Sequence, residues 1–318
     1  ERVIPLKPER ILVVTNVLQA EETARQLAFV KGDIVSVVAE PLPRNTAPAI
    51  GLAAAIIERE DPTAVMAVLP ADHYIRDEEE FRNTLLKAET AATDLKLVTL
   101  GIVPTRAETG FGYIEAEKER GRDGVFPVRR FVEKPCREKA CEYLESGDFF
   151  WNSGMFVWRA DVILDRIRTH MPDLSAGLSV LHIPADIEHL SSLRAQVADL
   201  YGRIAAESVD YGVMEKAEGV VVIPSSFGWS DVGSWSALPE VIEPDGDGNV
   251  FLNPERVLCL DSGGSIVRAG ERLIALVGVR DLVVVDTGDA LLICPKDRAQ
   301  DVKKVTEALE ERGLSKLL

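Results

Sequence analysis

The chain has 318 residues, 46% of them apolar, a length that suits one large α/β domain with a smaller second one, or two of medium size. With 52 acidic residues against 36 Lys plus Arg, the net charge is −16. That balance disfavours a nucleic-acid partner and means that any polyanionic ligand must be met by local cations, helix N-termini or a metal ion. No apolar run approaches the ~20 residues needed to cross a bilayer, and no basic-then-apolar leader opens the chain. A cytoplasmic enzyme with no membrane partner is expected, with a homodimer as its assembly.

The chain does not begin with Met and enters an apolar run, ILVVT, almost at once. Strands are expected at Ile11–Thr15, Ile34–Val38, Ala64–Leu69, Leu97–Ile102 and Val220–Ile223, since their aliphatic and β-branched content suits strands covered on both faces of a mainly parallel sheet. Helical patterns at Ala20–Phe29, Pro48–Arg59, Glu78–Thr93 and Arg137–Ser146 alternate with them, which predicts an α/β, doubly wound fold. From about Asn249 the texture changes. Short strands at Val257–Leu260, Ser265–Val267, Leu273–Val277, Leu282–Val285 and Ala290–Ile293 recur between Gly-, Asp- and Asn-rich turns. They predict a small all-β appendage, a β-helix or roll, whose period the spacing does not fix. An amphipathic helix near Arg298–Arg312 follows. The expected division is residues 1–245 and 246–318. Cys136, Cys141, Cys259 and Cys294 show no metal-site spacing and are expected as reduced thiols.

In such sheets ligands gather beyond the carboxyl ends of strands, so the residues that follow each strand carry the functional signal. AEPLPRNTAPAIGLAAA, residues 39–55, is a stiff polar loop running into a small-residue helix. It reads either as a helix cap, with Asn45 or Thr46 at the N-cap and Pro48 in the first turn, or as a nucleobase loop with Glu40, Arg44 and Asn45 as polar contacts. Guanine presents two adjacent donors on its Watson–Crick edge, and one carboxylate such as Glu40 can accept both. VLPADHYI, residues 68–75, places Asp72 after a strand, as a turn or cap residue or as a ligand to Mg²⁺, which prefers one or two carboxylates plus substrate phosphates. His73 receives no catalytic role. GFGYIE (110–115) suits a bulge or hairpin entry, or a close backbone approach to a sugar. In FVEKP (131–135) the Glu-Lys pair is either solvated or set against ligand hydroxyls and phosphate. WNSGMFVW (151–158) sets Asn152 and Gly154 before an apolar strand. SVDYGVMEK (208–216) and FGWSDVGSW (227–235) complete the set, with Asp231 as a second turn carboxylate or a cap of the following helix.

Taken in order, EPLPRNTAPAIGLAAA, LPADHYI, TGFGYIE, FVEKP, FWNSGMF, SVDYGVMEK and GWSDVGSW resemble the motif series of mannose-1-phosphate guanylyltransferases, within the sugar nucleotidyltransferase superfamily. The resemblance runs from about Ile11 to Gln300. It implies a Rossmann-like catalytic domain with a mixed sheet, a short C-terminal left-handed β-helix, and synthesis of GDP-mannose and pyrophosphate from GTP and mannose 1-phosphate with Mg²⁺ as cofactor. Carried onto this chain, it assigns Glu40, Arg44, Asn45 and Thr46 to the nucleotide. Gly112, Glu133, Lys134 and Asn152 go to the sugar phosphate, and Asp72 and Asp231 to the metal; Asp72, Lys134 and Asp231 are the catalytic set. Asp72 and Asp231 are expected to meet at one edge of a parallel sheet. Two departures stand out. The family's opening GGxGxRLWPLS loop and its PK motif do not occur in these residues, which implies missing phosphate contacts, and Pro43 stands where a glycine is expected before Arg44. The competing readings are another nucleotide and hexose 1-phosphate, or a catalytically silent relative that binds nucleotide sugars.

Overall fold

The structure, a computed structural model, describes residues 1–30, 32, 34–184 and 193–317. The chain starts with β1 (Ile11–Asn16), α1 (Ala20–Leu27), β2 (Val35–Glu40), α2 (Thr46–Glu60), β3 (Val65–Val68) and β4 (Tyr74–Ile75). Next come α3 (Glu78–Thr93), β5 (Leu97–Ile102), β6 (Tyr113–Ala116), β7 (Phe126–Val132), α4 (Arg137–Ser146) and β8 (Phe149–Arg159). Helices α5 (Ala160–His170), α6 (Pro172–Ser179) and α7 (Arg194–Arg203), which the expected alternation did not include, precede β9 (Val220–Ser225) and β10 (Trp229–Ser230). The short strands β11 (Val250–Leu252), β12 (Val257–Leu260), β13 (Ile266–Arg268), β14 (Ile274–Val277), β15 (Leu282–Asp286) and β16 (Leu291–Pro295) lead to α8 (Val302–Glu311). Two compact units result: Glu1–Pro70 with Asp77–Phe227, and Ala71–Arg76 with Gly228–Leu318.

In the first unit a six-stranded sheet has the order β3-β8-β5-β9-β7-β6, and β1 and β2 form a separate parallel pair. The sheet is mixed, as expected, but not mainly parallel. β5 and β9 run parallel, while β8 is antiparallel to β3, β5 and β6. β3, β5 and β9 nevertheless share one direction, because β8 is wedged between β3 and β5. Strand–helix alternation records direction along the chain, not which strand sits alongside, and so the wedge is invisible to it. Gly101 in β5 makes the close fit possible: a Cβ there would lie 2.5 Å from Val222 and 2.8 Å from Phe150.

Helix α2 forms where the sequence allows close packing. Its Ala-rich turns bury Ala47, Leu52, Ala54 and Ile56, and Gly51 faces Leu174 and Leu178 of α6 and Ile167 of α5. Asn45 caps it, its side chain accepting from Thr46 N, so the capping half of the earlier alternative is realised. Asp77 caps α3 by accepting from Glu80 N, the kind of contact worth ~1 kcal/mol. Asp72 is therefore not that helix's cap. Phe156, Trp158, Leu97 and Met66 from the sheet join α2, α5, α6 and α7 in one core.

In the second unit β11, β13 and β15 stack in parallel, as do β12 and β14. Val250 pairs with Ile266, Ile266 with Val283, and Val257 with Ile274. The chain therefore returns to the same place every 16 or 17 residues, a period the sequence left open. Side chains stitch the coils together at the corners: Ser265 N donates to Asn249 Oδ1, Val279 N to Ser262 Oγ and Leu282 N to Ser265 Oγ. These are buried polar groups whose partners come from the next coil, as burial requires. β16 closes the stack antiparallel to β15.

Candidate functional site

In the first unit the loop after β2 brings Glu40, Arg44, Asn45 and Thr46 together. Glu40 is half-buried, and its Oε1 accepts a 2.7 Å hydrogen bond from the Tyr201 hydroxyl on α7. Burial raises the Glu40 carboxyl above the usual range, and the Tyr201 bond pulls it partly back. Arg44 Nε donates to the Tyr201 carbonyl at 2.7 Å. Asn45 adopts φ +68° with ψ −171°, a conformation essentially confined to glycine and therefore strained in asparagine. The loop is laced to residues 207–209: Glu207 N donates to Arg44 O, Ala47 N to Glu207 O, and Val209 N to Thr46 Oγ1 at 2.9 Å.

The next residue, Asp210, opens a π-helical turn, Asp210–Met214, a rare conformation that is frequent at functional sites. Its Oδ1 accepts from Asn152 Nδ2 at 2.7 Å, and its carboxyl is raised, chiefly by burial. Asn152 N donates to Gly112 O at 2.8 Å. A Cβ at Gly112 would sit 2.6 Å from Glu133 Oε2 and 3.5 Å from Asn152 Cβ, so Gly112, Glu133 and Asn152 share one small space. Lys134 Nζ lies 3.3 Å from Glu133 Oε1, with 63% of the lysine side chain exposed. The ion pair is thus formed yet open to a ligand. Burial raises Glu215, with Glu133 and Asp210 adding to the effect. Acceptors of this kind suit sugar hydroxyls, and an exposed ammonium beside them suits a phosphate.

The second unit holds Asp72 and Asp231. The expected device was the edge of a parallel sheet. What joins their two segments is instead a two-residue antiparallel ladder, β4 with β10, pairing Ile75 with Trp229 and Tyr74 with Ser230. The next positions outward are His73 and Asp231, with Asp72 one residue beyond. Asp231 does feel His73: burial raises its carboxyl, while the Gly233 N–H and then His73 oppose the rise. Trp229 Nε1 donates to His73 Nδ1 at 3.0 Å. Asp231 does not cap the following helix, because its Oδ1 takes Gly233 N at 3.2 Å and the N-cap position belongs to Ser234. Val232 stands at φ +47°, costly for a β-branched residue. Asn45, Lys134 (φ +43°) and Val232 each hold a positive φ at a non-glycine residue.

No group of three or more His, Cys, Asp or Glu residues suited to a metal occurs among the described residues. Two carboxylates are a donor set for a hard cation that completes its shell with phosphate and water, and the pair fits Mg²⁺ on that ground. Tyr201, Asp210 and Glu215 were not singled out from the sequence. Asp210 and Glu215 lie inside a motif that was, whereas Tyr201 sits in an ordinary amphipathic helix and gave no signal.

The family description "Nucleotidyl transferase" matches residues 1–247, and "MannoseP isomerase/GMP-like beta-helix domain" matches residues 255–309. The chain belongs to the nucleotidyl transferase family and carries that β-helix domain. Among its relatives, a mannose-1-phosphate guanylyltransferase of Salmonella montevideo is 42% identical over 91% of this chain and 60% of its own length. Xanthan biosynthesis protein XanB of Xanthomonas campestris pv. campestris (strain B100) is 40% identical over 99% of this chain and 66% of its own. The chain thus spans just under two thirds of these curated relatives. The crystal structure of a mannose-1-phosphate geranyltransferase from Thermus thermophilus superposes with TM-score 0.84 at 37% identity, covering 97% of this chain and 87% of that one. No described helix is long and apolar enough to cross a membrane.

Proposed function

We propose that this chain is the guanylyltransferase part of an enzyme that makes GDP-mannose and pyrophosphate from GTP and mannose 1-phosphate, working in the cytoplasm. The carrying observation is the strip Glu207–Asp210. It hydrogen-bonds to the Arg44–Ala47 loop through its backbone at one end and to Asn152 through the Asp210 side chain at the other, so a base and a hexose phosphate would be read from one stretch of chain. The mannose-1-phosphate guanylyltransferase of Salmonella montevideo, 42% identical, supports this choice of substrates by its name.

Glu40 accepts guanine's ring N–H and amino group, with Arg44, Asn45 and Thr46 along the nucleotide. Glu133, Asn152 and the Gly112 backbone orient the sugar, and Lys134 offsets the charge on its phosphate. That phosphate is already ionised at neutral pH and needs no general base. One of its oxygens forms the new bond to the α-phosphorus of GTP, the α–β anhydride breaks in line, and pyrophosphate leaves with the bonding pair. Positioning and charge neutralisation therefore supply the catalysis. Asp72 and Asp231 would hold Mg²⁺, which supplies positive charge to the phosphates when bound.

The test is pyrophosphate release across GTP, ATP, UTP and dTTP, each with mannose and glucose 1-phosphates. GTP with mannose 1-phosphate should lead. Nucleotide binding without any release would support the silent relative instead. Glu40→Gln places a donor against guanine's donors and should lower the preference for GTP over ATP about 10- to 100-fold, the equivalent of ~1–3 kcal/mol. An unchanged preference removes Glu40 from the base site.

A further inference from the structure

We infer that Tyr201 is a positioning residue for base selection, its hydroxyl holding the Glu40 carboxylate in the one orientation that meets both donors of guanine. The inference rests on the reading of Glu40 as guanine's acceptor. Tyr201 is 0% exposed, and a phenol so buried requires a partner for its O–H. That partner is a carboxylate 161 positions earlier in the chain, at 2.7 Å.

The backbone of the same residue takes Arg44 Nε, 157 positions away. One residue of α7 therefore grips both Glu40 and Arg44, the first through its side chain and the second through its carbonyl. Packing alone does not ask for the hydroxyl contact, since phenylalanine fills nearly the same volume. Burial and the neighbouring carboxylate keep the phenol protonated far above neutral pH, so it remains a donor throughout the working range.

An ionised carboxylate has about four acceptor sites. Tyr201 takes one on Oε1, which leaves each oxygen free for one guanine donor. The terminal torsion of a glutamate is broad and weakly fixed. Without the hydroxyl, Glu40 would turn and meet both donors only part of the time. ITP separates these states, because hypoxanthine keeps the ring N–H and lacks the amino group. A fixed carboxylate distinguishes GTP from ITP, whereas a turning one blurs them.

The experiment compares wild type, Tyr201→Phe, Glu40→Gln and the double variant. It measures KM and kcat with GTP, ITP and ATP, equilibrium binding of the same nucleotides, KM for mannose 1-phosphate, and thermal melting. Tyr201→Phe should raise KM for GTP about tenfold, the loss expected for one hydrogen bond to a charged group. It should lower the GTP-to-ITP preference by a similar factor, act on KM rather than kcat, and add nothing in the Glu40→Gln background.

An unchanged GTP-to-ITP preference in Tyr201→Phe overturns the inference. So does a full Tyr201→Phe loss that persists on top of Glu40→Gln, which would assign the effect to packing. Both results leave Glu40 at the base site. If Glu40→Gln itself keeps the wild-type choice of GTP over ATP, the base reading fails, and the role of Tyr201 fails with it.

Discussion

A residue here matters by what its neighbours leave it free to do. Asn152 spends its amide nitrogen on Asp210 and its amide oxygen on Gly154 N, so the side chain is fixed before any sugar arrives. Gly112 matters for the opposite reason, having no side chain in a space that Glu133 already occupies. In Gly112→Ala the new Cβ would fall 2.6 Å from Glu133 Oε2, and the carboxylate, as the movable partner, must swing away. KM for mannose 1-phosphate should then rise about tenfold, the equivalent of ~1.4 kcal/mol, with little change in KM for GTP. An equal rise for both substrates would show that the glycine serves the fold at large. Gly112 and Asn152 were legible as members of short motifs. Their reason for being there was not, since it lies in Glu133, which follows another strand, and Asp210, which comes from another turn.

Among the elements, those governed by neighbouring residues were read best. α3, β5 and α4 begin and end where the sequence places them, because caps, apolar spacing and turn residues act locally. The coils of the second unit were legible as strands but not as a stack, since stacking depends on contacts 16 or 17 residues apart. A contact between neighbouring coils, 14 positions apart, should be visible in solution. Asp286 on β15 is 1% exposed. It receives Arg272 Nε at 3.1 Å, Arg272 Nη2 at 2.6 Å and Gly288 N at 2.9 Å. Arg272, then Gly288 N, hold its carboxyl down at about 2, against about 3.9 for a free aspartate. A depressed acid stabilises the fold above the unfolded value, and that contribution is lost as pH falls through the folded one. Urea unfolding of the second unit should therefore weaken between about pH 4 and pH 2. In Arg272→Leu the unit should be less stable at pH 6, and that low-pH drop should shrink. A drop of wild-type size in the variant would show that other carboxylates govern it.

At the scale of the whole molecule, the proposed mechanism would have two carboxylates 159 positions apart act as one. If Asp72 and Asp231 hold the same Mg²⁺, Asp72→Asn and Asp231→Asn should each lower kcat by on the order of 10²-fold, a usual loss when charge stabilisation of a transferring phosphoryl group is disturbed. Binding of mannose 1-phosphate should change far less. The double variant should cost little beyond the worse single one, because both act through one ion. Losses that multiply would mean that the two work separately. The sequence by itself determined the α/β class, the β-rich second part, the order of the motifs and the family they belong to. These are carried by residue type and by periods of two and 3.6 residues, which any short stretch displays. Only the tertiary structure decided that β8 wedges between β3 and β5, that Tyr201 meets Glu40, that Asp210 meets Asn152, and that a two-residue ladder carries Ala71–Arg76 into the second unit. Each of these is a pairing between distant segments. Its register depends on how the apolar faces are buried together, and no local pattern records which partner will satisfy a buried donor.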